Sequence, residues 1–597
     1  MKETEQKIEN VKLKKTVNTF AILEERAARD PDGSLFEYYK NGKWEKVTAA
    51  QFLNQVKAVG KGLIAKGVKV GDSIAIISKT RYEWSLFDFA IWATGALPIP
   101  IYETDSAEQI KYIFEDASVK FAVVEDDDIY SRCPKRVGSK AIEIWRIDHN
   151  AHGMLEAFGE SVSDAEVESR CKIKKGEDIA TIVYTSGSTA LPKGVELTHR
   201  VLCACVYNGC KGVPEILLRE NARILLFLPL AHVLARYLEL AAIAGTTTIG
   251  MARSIKTLLD DLRQIKPTYL LAVPRIFEKV YNASSHRASK GLKAKIFANA
   301  SKTARAYSEA LSNGEKISRS LKFKHELFDK LVYSQIRAVL GGNLEYCVSG
   351  GAPLDISLVH FFTGAGVPVF EGYGMTETAA PACVNRLEAL RLGTVGKPLP
   401  GVEAKVSADG ELLLRGESVD AKYHNLEELT KEINKGGWLH TGDLAYIDYE
   451  GFVTITGRKK DIIVTAGGKN VSPSALEDGV RVNPIISQCV VIGDKRPFVS
   501  ALITLDADEL KIWLDESGLD SQMFMKEASV NPAVLAEVQK IVDDVNKLFS
   551  RAESIRKFIV LENDFSEANE MLTASQKVKK PKVLEIYNEL INKKIYL

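Results

Sequence analysis

The sequence has no paired-cysteine pattern. Its eight cysteines are scattered. Cys203, Cys205 and Cys210 are the only cluster, with no Cys-x2-Cys spacing and no histidine at ligand spacing. That argues against a zinc site or a disulfide framework and for the reduced structural thiols of a cytosolic protein. Neither sign of charge is in excess: 79 Lys+Arg face 78 Asp+Glu, a net +1. There is no global pull toward nucleic acid or anionic membrane, so any such attraction must be local. The first residues, Met1-Lys-Glu-Thr-Glu-Gln-Lys, lack the apolar core of a signal peptide. The most apolar region, Ile224 to Met251, is interrupted by His232, Arg236 and Glu239 and falls short of the ~20 apolar residues of a spanning helix. The expectation is a cytoplasmic protein, at most peripheral to the inner face of the membrane. Repeats and low-complexity stretches are also missing.

What remains is ordinary globular material, 46% hydrophobic and 26% charged, in a chain of 597 residues. That is too long for one core, so several domains are expected. A hairpin is predicted from Ser34–Tyr39 and Lys43–Val47, turned by Asn41-Gly42. From Gly71 short apolar strands (Ser73–Ile77, Leu97–Ile101, Phe121–Val124) alternate with helices (Arg81–Thr94, Ala107–Ala117). That alternation points to an α/β fold with a largely parallel sheet.

The stretch that organises the chain is Tyr184-Thr-Ser-Gly-Ser-Thr-Ala-Leu-Pro-Lys-Gly194, which follows the β-type run Ala180–Val183. Hydroxyls and backbone N–H groups donate to anionic oxygens, glycines admit a close backbone, and Lys193 adds a point charge. This is phosphate-cradle chemistry. A Walker loop would place Ser or Thr after the lysine, and here Gly194 and Val195 follow. Four more buried strands are predicted at Ile224–Leu228, Tyr269–Val273, Leu344–Val348 and Val367–Phe370. Each runs into a loop of small or polar residues: Pro229–His232, Pro274-Arg275, Ser349–Pro353 and Glu371–Thr378. Loops at the carboxyl ends of such strands are where α/β folds hold ligands. Between them, residues 284–337 are helical in pattern and carry twelve Lys/Arg against four Asp/Glu. A solvated helical face is expected there in preference to a membrane-surface patch. After Gly393 the pattern turns to short β-type pieces, and a boundary is expected at Gly457–Asp461. Beyond it Gln488–Gly493 and Phe498–Thr504 read as paired strands and Pro532–Leu548 as a helix.

Taken in order, Thr185–Gly194, Glu371–Thr378, Thr441-Gly-Asp443, Gly457-Arg458 and Lys577 resemble the motifs of the adenylate-forming enzymes. The chain is similar to AMP-forming long-chain fatty acyl-CoA synthetases over residues 16 to 587. The resemblance implies a large N-terminal domain (1–457) of two α/β subdomains plus a small β-barrel-like piece. It further implies a hinge at 458–460, with Lys460 as pivot, and a small mobile α+β C-terminal domain (461–597). It implies two half-reactions: a carboxylate attacks ATP to give acyl-AMP and pyrophosphate, and coenzyme A then takes the acyl group and releases AMP.

By the same resemblance, Thr185, Ser186, Gly187, Ser188, Thr189 and Lys193 hold the β- and γ-phosphates. Glu377, with Thr185, binds Mg2+, a hard cation suited to few protein oxygens plus phosphates. Thr376 donates to the α-phosphate. Gly351, Ala352, Pro353, Glu371, Gly372, Tyr373, Gly374 and Met375 surround the nucleotide, Asp443 and Arg458 its ribose. Lys577 serves the α-phosphate and acyl carboxylate, and His232 lies near that carboxylate. Gly467 and Gly468 border the pantetheine channel. Three positions depart from the family pattern. Ala190 replaces a cradle glycine, at about 1–2 kcal/mol if that position needs φ > 0. Ala574 stands where proline is usual, and Val419–Tyr423 replaces a glycine-containing stretch. Open alternatives are an acyl-AMP ligase with a carrier-protein acceptor, a synthetase for aryl or medium-chain acids, and a weakly catalytic binding homologue. The partners expected are small molecules, with a homodimer left open.

Overall fold

The computed structural model describes residues 11–185, 191–287, 292–466, 469–573 and 577–596. The N-terminal hairpin forms as expected, Ser34–Lys40 against Lys43–Thr48, with Lys40 opposite Lys43. Asn41 and Gly42 take φ of 49° and 84°, the left-handed pair that a tight hairpin needs. This hairpin extends a parallel pair, Thr248–Met251 and Arg223–Leu226. A second sheet is wholly parallel, in the order Leu97–Ile101, Ser73–Ile77, Val119–Val124, Glu143–Arg146. The capping boxes Thr48/Gln51 and Ser106/Gln109 start two helices flanking these sheets. Helix α1, Tyr82–Ala93, is buried at every position but Glu83, which is why apolar residues fall on all its faces.

Strands β1 (Ile179–Thr185) and β2 (Lys193–Thr198) are antiparallel and carry the cradle between them. Ile182 and Tyr184 of β1 pack into the core of the second sheet, beside Ile77, Ile101 and Val124. Helix α2 (Val233–Ala244) follows the loop with His232. Farther on lies the helix α3, Arg319–Phe328. A third sheet runs Tyr269–Ala272, β3 (Tyr346–Ser349), β4 (Val369–Met375), β5 (Ala380–Val384) and Lys397-Pro398. Its first three strands are parallel and β5 returns antiparallel. The expected barrel-like piece is an open sheet. Its path is Val402–Val406, Glu411–Gly416, Trp438–Ile447, Asn434-Lys435, with Val453–Arg458 against Trp438–Ile447, and among the described residues no pairing closes it.

The chain divides into two compact units. The first comprises residues 11–405, 413–440 and 447–453. The second comprises 406–412, 441–446 and 454–596. In the second unit, Ile486–Ile492 and Val499–Leu505 pair as expected, and Ile555–Val560 joins in parallel. Both faces of this sheet are covered: Cys489, Val491, Ala501 and Ile503 pack on one side, Val490, Ile492 and Leu502 on the other. Two covered faces explain the unbroken apolar runs. All eight cysteines are free and buried. Burial pushes their thiols up, to about 11 for Cys133 and about 12 for Cys383, which leaves them unreactive. Among the described residues no helix is long and apolar enough to cross a membrane.

One buried cation ties three of these elements together. Arg236 of α2, 1% exposed, donates from Nε to Asp88 Oδ2 of α1 at 2.9 Å and from its terminal nitrogens to Asp88 Oδ1 at 2.5 Å and Thr181 Oγ1 of β1 at 2.6 Å. Its guanidinium lies 4.7 Å from the Trp92 ring centroid. Burial pushes the Asp88 carboxyl up to about 6 despite Arg236. One turn on, Glu239 accepts from Ser85 Oγ, and burial pushes its carboxyl up to about 8. Asp88→Asn removes the counter-charge of a dry guanidinium and should cost about 3–5 kcal/mol in chemical denaturation. The double variant Asp88→Asn/Arg236→Met should recover most of that loss, because no charge is then left buried alone.

Candidate active site

In the first unit, the antiparallel register of β1 and β2 sets Thr185 opposite Lys193 at the mouth of the cradle. The Thr185 hydroxyl reaches the Lys193 carbonyl at 3.4 Å. Ser186, Gly187, Ser188, Thr189 and Ala190 lie outside the described residues. The strand β2 was not expected, although Val195 and Leu197 alternate with polar residues ahead of the helix cap Thr198. On its other edge β2 pairs with the two-residue strand Lys422-Tyr423, Val195 opposite Tyr423. This is the stretch where the sequence departs from the family pattern. Burial of Val419 and Ala421 (7% and 0% exposed) seats it.

Tyr423 is the site residue that sequence reasoning missed. Its hydroxyl donates to Glu377 Oε1 at 2.5 Å, and the Lys193 ammonium stands 5.8 Å from its ring centroid. Lys193, Tyr423 and Glu377 thus form a chain of contacts at the cradle mouth. Nothing in a two-residue strand announces this role; pairing to β2 creates it.

Glu377 is held by a tight turn. Residues Thr376–Thr378 form one 3-10 turn between β4 and β5, and Thr376 and Glu377 are both buried. Thr378 Oγ1 accepts the Met375 N–H at 3.0 Å and donates to the Ala380 carbonyl at 2.7 Å. Ala379 and Ala380 take φ of 54° and 106°, a strained pair for alanine. Gly374 is required by this closeness: a Cβ there would lie 1.9 Å from the Ala380 carbonyl oxygen.

Beside it, Ser349 of β3 pairs in register with Glu371 of β4. The turn Gly351, Ala352, Pro353 therefore leaves β3 beside Glu371, while Glu371, Gly372 and Tyr373, expected in a loop, lie within β4, which runs on to Met375 by pairing with β5. Gly351 takes φ +85°. The Cβ position of Gly350 is 3.7 Å from both the Gly372 carbonyl and Leu234 Cδ2 of α2. Glu371 accepts backbone N–H groups of Gly393 and Leu354, yet burial pushes its carboxyl up to about 7. Its Oε2 and the Ser349 hydroxyl have no hydrogen-bond partner among the described residues. Two such atoms at a strand end fit an adjacent polar ligand.

His232 caps α2, its Nδ1 accepting the Leu234 N–H at 3.1 Å. That bond puts the proton of the neutral ring on Nε2. Thr80, unremarked in the sequence, pins this loop: its hydroxyl donates to the Leu228 carbonyl at 2.7 Å and accepts the Leu230 N–H at 3.0 Å.

The second unit holds the other expected residues. Asp443, 4% exposed, accepts from Arg458 Nε at 3.0 Å. Its own N–H donates to Thr441 Oγ1 at 3.1 Å, and Gly442 N–H donates to Glu411 Oε1 at 2.9 Å. Lys459 bridges Asp409 and Glu411 at 2.6 and 3.2 Å. Thr573 and Lys577 exchange hydrogen bonds, Thr573 N–H to the Lys577 carbonyl at 2.8 Å and Lys577 N–H to Thr573 Oγ1 at 3.0 Å. Lys577 is an exposed residue. Its ammonium pKa is nonetheless lowered, by desolvation first and Arg458 second, with Asp443 opposing. Asp443, Arg458 and Lys577 therefore sense one another within this unit. Lys460 lies in the 3-10 turn Lys459–Asp461. Gly467, Gly468 and Ala574 fall outside the described residues.

Comparison with known proteins bears on the family and the fold. The family model for the AMP-binding enzyme matches residues 23–424, and that for the AMP-binding enzyme C-terminal domain matches 460–596. The long-chain-fatty-acid–CoA ligases FadD15 of Mycobacterium bovis and Mycobacterium tuberculosis are each 43% identical over 573 residues, covering 95% of this chain and 95% of theirs. Among solved structures, o-succinylbenzoate CoA synthetase from Bacillus subtilis with its acyl-adenylate has a TM-score of 0.70 at 20% identity, covering 96% of this chain and 98% of its own. A Mycobacterium tuberculosis fatty acyl CoA synthetase has a TM-score of 0.62 at 20% identity, covering 96% and 99%. With both family models matched in order along the chain, this protein belongs to the AMP-binding enzyme family.

Proposed function

We propose that the protein is an AMP-forming long-chain fatty acid–CoA ligase. The observation that carries the reading is the cradle mouth, where a lysine, a hydroxyl and a buried carboxylate are brought together by β2 and its neighbours. The names of the relatives supply the acid, a long-chain fatty acid, and the acceptor, coenzyme A.

In this reading an oxygen of the fatty carboxylate attacks the α-phosphorus of ATP. Pyrophosphate leaves and acyl-AMP forms. The thiolate of coenzyme A then attacks the acyl carbon, and AMP leaves. The first step brings two anions together, so the site must supply positive charge and position. Lys193 and the cradle, with Ser186 to Thr189, hold the β- and γ-phosphates, and Thr376 donates to the α-phosphate. The turn Gly351–Pro353 and Glu371–Met375 enclose the adenine. Asp443 accepts from the ribose hydroxyls, with Arg458 fixing its carboxylate. Lys577 reaches the α-phosphate and acyl carboxylate during adenylation. Desolvation and Arg458 lower its pKa, and an ionised phosphate beside it would favour the charged form. His232, proton on Nε2, faces the acyl carboxylate.

Glu377 fits Mg2+, because among the described residues its carboxylate is paired to no cation, and Thr185 offers a second oxygen. Among the described residues no group of three or more His, Cys, Asp or Glu could hold a metal by itself, and Mg2+ on phosphates needs few protein ligands. When bound, the ion neutralises phosphate charge. We further propose that residues 1–457 and 461–597 act as separate bodies with 458–460 as the hinge, pivoting at Lys460. Gly467 and Gly468 then border the coenzyme A channel. A peripheral attachment to the membrane completes the reading.

Incubation with palmitate, ATP, Mg2+ and coenzyme A should yield AMP and thioester in equal amounts. ADP as the sole nucleotide product would overturn the assignment, and transfer to a carrier protein alone would redirect it to an acyl-AMP ligase. Lys577→Ala should lower adenylation by roughly 100-fold or more while thioester formation from supplied acyl-AMP largely survives. Equal loss of both half-reactions would remove the role given to Lys577. Tyr423→Phe removes a hydrogen bond to a carboxylate and should lower kcat/KM for Mg-ATP by roughly tenfold. KM for coenzyme A should not move.

A further inference from the structure

The helical run from Arg319 to Val339 is continuous: α3, a π-turn over Asp329–Tyr333, and a last helix Ser334–Val339. One side of it is built into the first unit. Val332 and Tyr333 are buried, and the Tyr333 hydroxyl donates to the Ala300 carbonyl at 2.7 Å. His325 donates from Nε2 to the Gly364 carbonyl at 2.6 Å and stacks on Tyr307 with ring centroids 3.9 Å apart. Arg337 pairs with Asp329 at 2.7 Å.

The other side faces water. No residue of α3 is buried, and Phe323, Leu327 and Leu331 are 69%, 46% and 47% exposed. Four-residue spacing puts the first two on one face of an α-helix. The π-turn adds residues per turn, and this keeps Leu331 close to that line. Arg319, Lys322, Lys324 and Lys330 are exposed around the stripe. Of the two acidic residues in α3 and its π-turn, Asp329 is taken up by Arg337, which leaves Glu326 alone among these cations. Charge counting on the sequence favoured a solvated face; three large apolar side chains held in water by a well-anchored helix do not fit that role.

We propose that the outward face of α3 and its π-turn docks on an anionic lipid surface. Phe323, Leu327 and Leu331 enter the acyl boundary, and Arg319, Lys322, Lys324 and Lys330 meet the headgroups. An apolar stripe rimmed by cations is the pattern of an interfacial helix. A stable protein partner needs about 800 Å² from each side, far more than three side chains offer, and two copies of this face would repel through their rims. The docking gives the proposed enzyme access to an amphiphilic substrate where it partitions, but the argument for the face does not depend on the site chemistry.

Vesicle flotation tests it without reading activity. The wild-type protein should float with phosphatidylcholine/phosphatidylglycerol vesicles, weakly with phosphatidylcholine alone, and less in high salt. The variant Phe323→Ser/Leu327→Ser/Leu331→Ser should bind roughly tenfold less. It should keep its melting temperature and its turnover of a water-soluble fatty acid. Lys322→Glu/Lys324→Glu/Lys330→Glu should lose the preference for phosphatidylglycerol. Undiminished flotation of the serine variant would overturn the proposal, as would wild-type protein that stays with the supernatant. A wild-type dimer in gel filtration that the serine variant converts to monomer would overturn it too, since a second copy would then cover the stripe.

Discussion

The Arg236 guanidinium is the constraint on which the first unit depends. It is bonded at once to the helix that backs the parallel sheet, through Asp88, and to the strand that leads into the cradle, through Thr181. It sits on α2, whose first turn is capped by His232. A dry cation with one carboxylate and one hydroxyl tolerates little displacement, because any shift leaves charge unpaired in a low-dielectric interior. The relative positions of three elements from distant sequence are thereby set to within a hydrogen-bond length. Hydrophobic packing around the pair, Trp84 and Trp92 included, is non-directional and would allow sliding.

The nucleotide side of the proposed site is ordered differently, by backbone closeness. The turn carrying Glu377 is so tight that Gly374 touches the returning strand and two alanines take left-handed conformations. That conformation is unfavourable locally and is held by the five-stranded sheet on which it sits. Tyr423 then clamps the Glu377 carboxylate from β2's far edge. A carboxylate oriented before ligand arrives loses less entropy on binding, which is the general value of such a device.

The second unit has its own two-faced core, and Asp443, Arg458 and Lys577 are collected in it. Lys577 lies more than a hundred residues beyond Asp443 and Arg458, which are themselves 15 apart, yet each has a local support: the strand Trp438–Ile447, the strand Val453–Arg458, and the Thr573–Lys577 exchange. Local turns explain why the individual motifs are recognisable. Their convergence is a matter of packing.

Much of this was legible in the residues themselves. Alternation of period two, Asn41-Gly42, the apolar run of α1 and the glycines of the motif loops follow from backbone sterics and burial, which act over a few residues. The order of the motifs likewise marked Glu377, Asp443, Arg458 and Lys577 before any fold was known. Only the tertiary structure could decide what depends on distant partners. Arg236 read as an interruption in an apolar run and is instead the buried joint of three elements. Tyr423 lay in a stretch that departs from the family pattern and owes its role to pairing with β2. In the basic helix the charge is visible in sequence, whereas the exposure of Phe323, Leu327 and Leu331 shows only in the fold. Local sterics write themselves into the chain; desolvation and long-range pairing exist only once it is folded.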